Sequence, residues 1–347
     1  MGWIIPQYTQ AQVNAAGESL KNNILKGEWL NPYALRVVDN FRSAHGFPLN
    51  TIQANLRNHA KSINSNSIIA QRLKRLSSIL NKLERFPDMK FARMQDIGGC
   101  RAIMKTITQV NHLADIYTNH ETEIRHIVLP GKDYIQEPKA DGYRSRHLVF
   151  QYQSDRNTIY NQMKIEMQIR TLRQHAWATA SETVGTFLRQ DLKSGKASSD
   201  WERLFQLMST EIAYREGCPL VPGIPSDRKL WQEEIKTLEH KLQAIGTLGS
   251  LINMLYVMPF NKETRYLVLL LDLRAKRLSI KGYDKLDEAN KDYIAQEEKR
   301  RQVGSGDVVL LSVGEIKDLK AAYPNYYADT AIFNGILSDC VGKQSGS

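Results

Sequence analysis

Polar and apolar residues alternate with a period of two along residues 164–170, KIEMQIR. Ile165, Met167 and Ile169 fall on one side and Glu166, Gln168 and Arg170 on the other, the pattern of a β-strand. Three polar side chains on one strand face predict either a half-solvated edge strand with a routine ion pair or a face that binds something polar. From Thr171 the period changes, and a helix is expected to about Arg189. Upstream, residues 8–60 read as helical, with Pro32 and Pro48 as punctuation. After Ser67, the residues Ile68, Leu73, Leu76, Leu80 and Leu83 recur at helical spacing, predicting an amphipathic helix whose other side carries Arg72, Lys74 and Arg75. Taken alone, that basic side is a solvated face.

Strands are expected at Cys100–Lys105, at Ile124–Leu129 and in YRSRHLVFQY, with a helix at Gln109–Tyr117 and a polar loop at 130–142. A helix at 199–216 closes this region. Such an order predicts a mixed α/β or α+β core with helices on both sides. The stretch GCPLVPGIPSD, at 217–227, is the best candidate for a linker. Beyond it the pattern predicts one long helix over 228–255, broken near IGTLGS. Two strands joined by a turn at Arg274–Lys276 follow, then a charged helix over 284–301, a strand in GDVVLLSV and a helix at 314–322. The expected units are a helical segment at 1–54, a catalytic domain at 55–217, and a long helix with a small α+β accessory module at 228–340.

Composition narrows the partners. Of 347 residues, 42% are hydrophobic and 24% charged, ordinary for a globular chain. The longest purely aliphatic run, Leu267–Leu271, is far too short to span a bilayer. The opening MGWIIPQYTQ has no basic segment leading into an apolar one, and Pro6 sits where a myristoylation signal wants Ser or Thr. Cys100, Cys218 and Cys340 are odd in number and far apart, which excludes a disulfide framework or zinc motif and fits a reducing cytoplasm. A net charge of +10 favours polyanionic partners, either nucleotides carrying several phosphates or nucleic acid.

Three stretches then make chemical sense together. MQDIGGCR places Asp96 before a glycine pair and a strand bearing Arg101, PKADGYRS offers Lys139, Gly142, Tyr143 and Ser145, and EMQIRT offers Glu166, Gln168 and Arg170. Two carboxylates at the ends of neighbouring strands suit Mg²⁺, a hard ion that prefers carboxylate and phosphate oxygens. Lys and Arg around them can neutralise a triphosphate, and a Tyr beside Gly in a loop can stack on a base.

In order, Asp96–Arg101, Lys139–Ser145, Glu166–Thr171 and Trp177–Glu182 resemble the D-I-x-G-x-R, K-x-x-G-Y-x-S, E-x-Q-I-R-T and W-A-x-x-x-E motifs of the RelA/SpoT synthetase domain. The upstream KSINSNSIIAQRLKR is similar to that family's basic segment, with His59 standing where Arg is common and Arg57 nearby. The resemblance covers about residues 55–190. It implies a nucleotidyltransferase-like mixed sheet flanked by helices. It also implies a pyrophosphokinase that transfers pyrophosphate from ATP to the 3′-hydroxyl of GDP or GTP, making (p)ppGpp. By resemblance, Asp96 and Glu166 bind Mg²⁺ and Glu166 serves as base. Lys61, Arg72, Arg75, Arg101 and Lys139 hold ATP. Tyr143, Ser145, Gln168 and Arg170 hold the acceptor, with Tyr143 stacking on its base. His175 and Glu182 support the site, and His147 packs behind it.

Two other functions stay open at this stage. One is the same transfer onto the 3′-terminal adenosine of tRNA, the action of toxins in this family. The other is a catalytically inactive nucleotide sensor, against which the intact Asp96/Glu166 pair argues. Alarmone hydrolysis is not expected: the chain has no adjacent His-Asp pair, and by the resemblance its N-terminal segment, some sixty residues, is short for the family's helical hydrolase domain. The C-terminal module is expected to serve self-association or a regulatory partner.

Overall fold

Three helices precede the first strand in the computed structural model: α1 (Gln10–Leu25), α2 (Pro32–Ala44) and α3 (Gly46–Ile63). The structure describes residues 3–26, 28, 30–119, 124–187, 196–253, 256–257, 266–272, 277–303, 307–312 and 330–342. Pro32 and Pro48 both lie in the first turn of a helix, where a missing N–H breaks no intrahelical bond. Asn31 caps α2 by accepting from the N–H groups of Tyr33 and Ala34.

The stretch after Ser67 departs from the single helix expected of it. Ile68–Leu73 is a strand, β1, and only then does α4 (Leu76–Arg85) begin. The cause is non-local. β1 pairs antiparallel with β2 (Gly98–Met104) from Ile68↔Ile103 to Leu73↔Gly98, and the β-branched pair Ile68–Ile69 suits a pleated surface. Leu76, Ile79, Leu80 and Leu83 keep the helical spacing and join a core with Val13, Leu20, Val37 and Phe91.

Next come α5 (Ile107–Thr118), β3 (Ile127–Asp133), β4 (Arg146–Gln151) and β5 (Lys164–Thr171). β3 extends four residues into the stretch expected to be loop, from Pro130 to Asp133. β2 and β5 run parallel in the middle of the sheet, and β4 lies antiparallel to β5. On one face, Cys100, Ala102, Met104, Ile165, Met167 and Ile169 bury themselves against Leu49, Ile52 and Leu56 of α3 and Val110, Leu113 and Tyr117 of α5. The odd and even positions of β2 and β5 are thereby assigned, one set to core and the other to the opposite face.

β5 passes directly into α6 (Leu172–Phe187) through a capping box. The Thr171 hydroxyl accepts from Gln174 N–H at 3.1 Å, and the Gln174 side-chain oxygen accepts from Thr171 N–H at 3.2 Å. α6 packs with α7 (Lys196–Glu216), α8 (Arg228–Leu242), α9 (Ala244–Asn253) and α11 (Ala331–Val341) in a core of Trp177, Leu204, Phe205, Trp231, Ile235 and Phe333. The Pro/Gly-rich stretch at 217–227 is a turn that returns α8 onto α7. There the fully buried Glu211 accepts from Arg215, Arg228 and the indole of Trp231. The helix expected over 228–255 breaks at Gln243, which adopts φ 49°, just before IGTLGS.

The remaining strands, β6 (Tyr256–Val257), β7 (Tyr266–Asp272), β8 (Arg277–Tyr283) and β9 (Asp307–Ser312), extend the same sheet to nine, in the order β3-β4-β5-β2-β1-β9-β7-β8-β6. Helix α10 (Leu286–Val303) covers them through Ala289 and Tyr293 against Val268, Leu270, Val308 and Leu310. The C-terminal region thus has the α+β character expected, and β9 meets β1 at Leu311↔Arg72. The turn expected at Arg274–Lys276 and the helix expected at 314–322 lie outside the described residues. Among the described residues no helix is long and apolar enough to cross a membrane.

One buried histidine makes this fold sensitive to acid. His45, between α2 and α3, is 1% exposed, and its Nδ1–H donates to the Phe41 carbonyl at 2.8 Å. Burial lowers its pKa from 6.5 to about 4. An unfolded chain takes up this proton near pH 6.5 and the native state only near 4, so the associated stability is present above 6.5 and is lost as pH falls towards 4. The difference amounts to about 3 kcal/mol. His45→Asn keeps a donor and cannot be protonated. Between pH 7 and 4 its denaturant-unfolding free energy should fall by less than that of the native chain. Equal acid sensitivity of the two would exclude His45 as the cause.

Candidate active site

The face of β2 and β5 turned away from the α3/α5 core carries the polar residues, and strand register arranges them in rows. Arg72 of β1 pairs with Gly99 of β2, and Gly99 pairs with Glu166 of β5. In the next row Arg101 pairs with Gln168, and Gln168 with His147 of β4. Directly paired residues share a face, so these side chains converge. They line an open cleft together with Lys74, Asp96, Tyr143, Arg170 and Glu182. Gly99 matters here because it has no side chain. A Cβ at this position would meet nothing nearer than 3.9 Å, so the glycine leaves open space between Arg72 and Glu166.

Glu166 stands in a chain of hydrogen bonds. Gln168 Nε2 donates to its Oε2 at 2.7 Å, and His147 Nδ1 lies 3.0 Å from its Oε1. The other imidazole nitrogen, Nε2, is 2.9 Å from the Tyr143 hydroxyl. An ionised carboxylate can only accept, so Nδ1 carries the proton and Nε2 accepts from Tyr143. Burial and the charge of Asp96 push the Glu166 pKa up. The contacts from His147 and Gln168 outweigh them and hold it below the usual carboxylate range. The second carboxylate, Asp96, precedes β2 and is gripped by two ammonium groups, Lys74 at 2.9 Å and Lys82 at 2.9 Å. Burial opposes its ionisation, and the two lysines lower its pKa nonetheless.

Tyr143 is set in place by the glycine before it. Gly142 has φ +94°, and a Cβ there would lie 2.9 Å from Ser209 Cβ and 3.1 Å from Trp177 Cζ2. Only glycine allows both this backbone and this approach to α6 and α7. Ser209 Oγ donates to the Gly142 carbonyl at 2.6 Å and accepts from Arg144 Nε at 2.9 Å. Trp177 Nε1 donates to the Phe205 carbonyl at 2.7 Å, which fixes the indole beneath the loop. Tyr143 stands edge-on to Tyr134 and His147, and the Lys139 ammonium lies 4.9 Å from its ring centre.

The structure brings together Arg72, Asp96, Arg101, Tyr143, Glu166, Gln168, Arg170 and Glu182 in one cleft. Lys139 reaches its edge by packing on Tyr143. Ser145 is fully buried, and its hydroxyl donates to the Ile169 carbonyl at 3.3 Å. His175 lies under the cleft floor, where its Nδ1 accepts from Arg170 Nη2 at 2.7 Å. Lys61, near the end of α3, donates to the Ser65 carbonyl at 2.8 Å, and Arg75 stands at the N-cap of α4; neither is among the lining residues. Sequence reasoning missed Lys82, and it gave Lys74 a solvated face and His147 a packing role. Lys74 belongs to no helix, and Lys82 is two helical turns into α4. Their convergence on Asp96 follows from the strand-to-helix break that the helical pattern concealed.

A family described as the region found in RelA / SpoT proteins matches residues 71–184. GTP pyrophosphokinase YwaC of Bacillus subtilis (strain 168) is 33% identical over 127 residues, covering 35% of this chain and 59% of its own. GTP pyrophosphokinase YjbM of the same organism is 31% identical over 118 residues, covering 33% of this chain and 54% of its own. The chain thus spans little more than half the length of these curated relatives. Among solved structures, small alarmone synthetase 1 from Bacillus subtilis bound to its product pppGpp is similar, with 24% identity and a TM-score of 0.40, over 49% of this chain and 90% of that one. Small alarmone synthetase 2 from Bacillus subtilis is likewise 24% identical, with a TM-score of 0.41, over 51% and 91%. From the family match and the four motifs converging on one cleft, the chain carries a RelA/SpoT-family domain at residues 71–184.

Proposed function

We propose that this chain is an ATP-dependent pyrophosphokinase that transfers the β,γ-pyrophosphate of ATP to the 3′-hydroxyl of GDP or GTP. The observation that carries this reading is an ionised Glu166 in a cleft that also gathers Arg72, Lys74, Arg101 and Arg170. The names of the curated relatives support the guanine nucleotide as acceptor.

In the proposed reaction the acceptor 3′-oxygen attacks the β-phosphorus. A bond forms between them, the bond from that phosphorus to the α,β-bridging oxygen breaks, and AMP leaves with the electron pair. Glu166 takes the hydroxyl proton, while His147 and Gln168 keep the carboxylate oriented and charged beforehand. Arg72, Arg101 and Arg170 neutralise charge on the phosphates, and that positioning with charge neutralisation supplies most of the catalysis. The donor set fits a hard cation, since two carboxylates, Asp96 and Glu166, share one cleft. Mg²⁺ held there with the phosphates would neutralise charge on the triphosphate. Both Asp96 oxygens are bonded to lysines, so Lys74 and Lys82 are placed to pass from this carboxylate to the triphosphate.

Label from γ-labelled ATP should appear in GDP or GTP when each is offered in turn beside ATP and bulk tRNA. Label in tRNA alone would replace the acceptor, and label in none would overturn the reading. Glu166→Gln keeps the shape and removes the charge. Turnover should fall by roughly 10²- to 10⁴-fold with the thermal midpoint retained. Near-native turnover of the folded variant would exclude Glu166 as base.

Tyr143 should separate two effects. Tyr143→Phe keeps the ring and removes the hydroxyl that bonds His147, so kcat should fall with little change in the acceptor KM. Tyr143→Ala also removes the stacking surface and should raise the acceptor KM by roughly 5- to 150-fold, the equivalent of ~1–3 kcal/mol. A collapse of ATP affinity in either variant would place Tyr143 on the wrong substrate. Gly99→Leu adds bulk where the backbone has room but the cleft does not. It should fold normally and bind a non-hydrolysable ATP analogue at least tenfold more weakly; unchanged binding would move the triphosphate elsewhere.

A further inference from the structure

Helix α4 lacks a cap from its own chain neighbourhood. Arg75 occupies its N-cap position, and an arginine side chain has no acceptor to offer the first N–H groups of the helix. The N–H of Leu76 is instead accepted by Glu297 of α10, whose Oε1 lies 3.1 Å away. The two residues are 221 positions apart in sequence. A carboxylate is well suited to this place, because it satisfies an orphan donor and meets the positive end of the helix dipole.

Glu297 is itself held firmly. Its Oε2 accepts from both Nη1 and Nη2 of Arg42 at 3.0 Å, and Tyr293 donates to its Oε1. Arg42 comes from α2, is 1% exposed, bonds Asp39 at 2.8 Å and stacks over the Tyr293 ring at 4.7 Å. One carboxylate therefore joins α2, α10 and the start of α4. The segment it grips carries much of the cleft. Arg72 lies just upstream, where β1 also meets β9. Lys74 and Lys82 flank the capped turn and both hold Asp96.

We propose that Glu297 is a positioning residue for the active site: from α10 it supplies the missing cap of α4 and so fixes Arg72, Lys74 and Lys82 for the triphosphate. This rests on the reading of the cleft as an ATP site. It makes nucleotide affinity depend on the docking of α10, although no residue of α10 lines the cleft.

Two charge-neutral double variants of the full chain separate the cap from the ion pair. Arg42→Met/Glu297→Gln removes both charges and keeps an oxygen that can accept from Leu76. Arg42→Met/Glu297→Met removes the acceptor as well. Calorimetry with a non-hydrolysable ATP analogue and Mg²⁺ should show the Gln pair within about twofold of native and the Met pair about five- to tenfold weaker, the size of a lost helix cap. The KM for ATP should follow, while the acceptor KM should stay unchanged. A folded Met pair that binds the analogue as tightly as native overturns the proposal alone. A native chain that binds no analogue overturns the reading of the cleft, and the proposal with it. Amide exchange on the native chain gives a test independent of any variant. The Leu76 N–H should exchange as slowly as the interior amides of α10, where a first-turn amide without a cap exchanges fast. Fast exchange at Leu76 overturns the cap.

Discussion

A carboxylate that must stay ionised beneath the protein surface sets the terms for everything around it. Glu166 is shielded enough that burial alone would drive it towards the neutral acid, and Asp96 pushes the same way. The site answers with donors. Gln168 comes from the same strand face, His147 from the neighbouring strand, and Tyr143 stands behind His147. Each donor needs its own support. Tyr143 needs the Gly142 backbone, and Gly142 needs Ser209 and Trp177 on two helices that pack behind the loop. A demand that begins at one oxygen pair thus reaches α6 and α7.

The same logic divides the central sheet. Ile165, Met167 and Ile169 have no exposed surface because α3 and α5 cover them, so the alternate positions of β5 must face the other way. Once the apolar side is committed, Glu166, Gln168 and Arg170 cannot be scattered. Their spacing along the strand is fixed by the pleat, and their neighbours across it by the parallel register with β2. Hydrophobic burial holds the polar face to a geometry that polar contacts alone would leave loose.

Much of this was legible in sequence because it is local. The period-two pattern around Glu166, the first-turn prolines of α2 and α3, and the apolar stripe of α4 each need only a few neighbouring residues. The failures are non-local. Ile68–Leu73 has helical spacing and becomes a strand because β2 lies beside it. His147 is one polar residue in an otherwise ordinary strand until the register sets it opposite Gln168. Lys82 looks like one more solvent-facing lysine on an amphipathic helix, and only the turn at Lys74–Arg75 aims it at Asp96. The break at Gln243, by contrast, falls two residues before IGTLGS, whose two glycines announce it locally.

The contact between Arg42 and Glu297 belongs to the same non-local class, spanning 255 positions. Its energetics differ from those of the apolar core. Removing two charges from water costs several kcal/mol each, and the attraction between them roughly offsets that cost, so apolar packing of the same volume serves stability as well or better. What apolar packing lacks is intolerance of error. If α10 shifts off α2, a guanidinium already 99% shielded loses its main counter-charge, and the first turn of α4 loses its acceptor in the same step. Partial docking is therefore worse than either full docking or full release. That acceptor sits at the start of the helix that carries Lys82, one of the two lysines that hold Asp96.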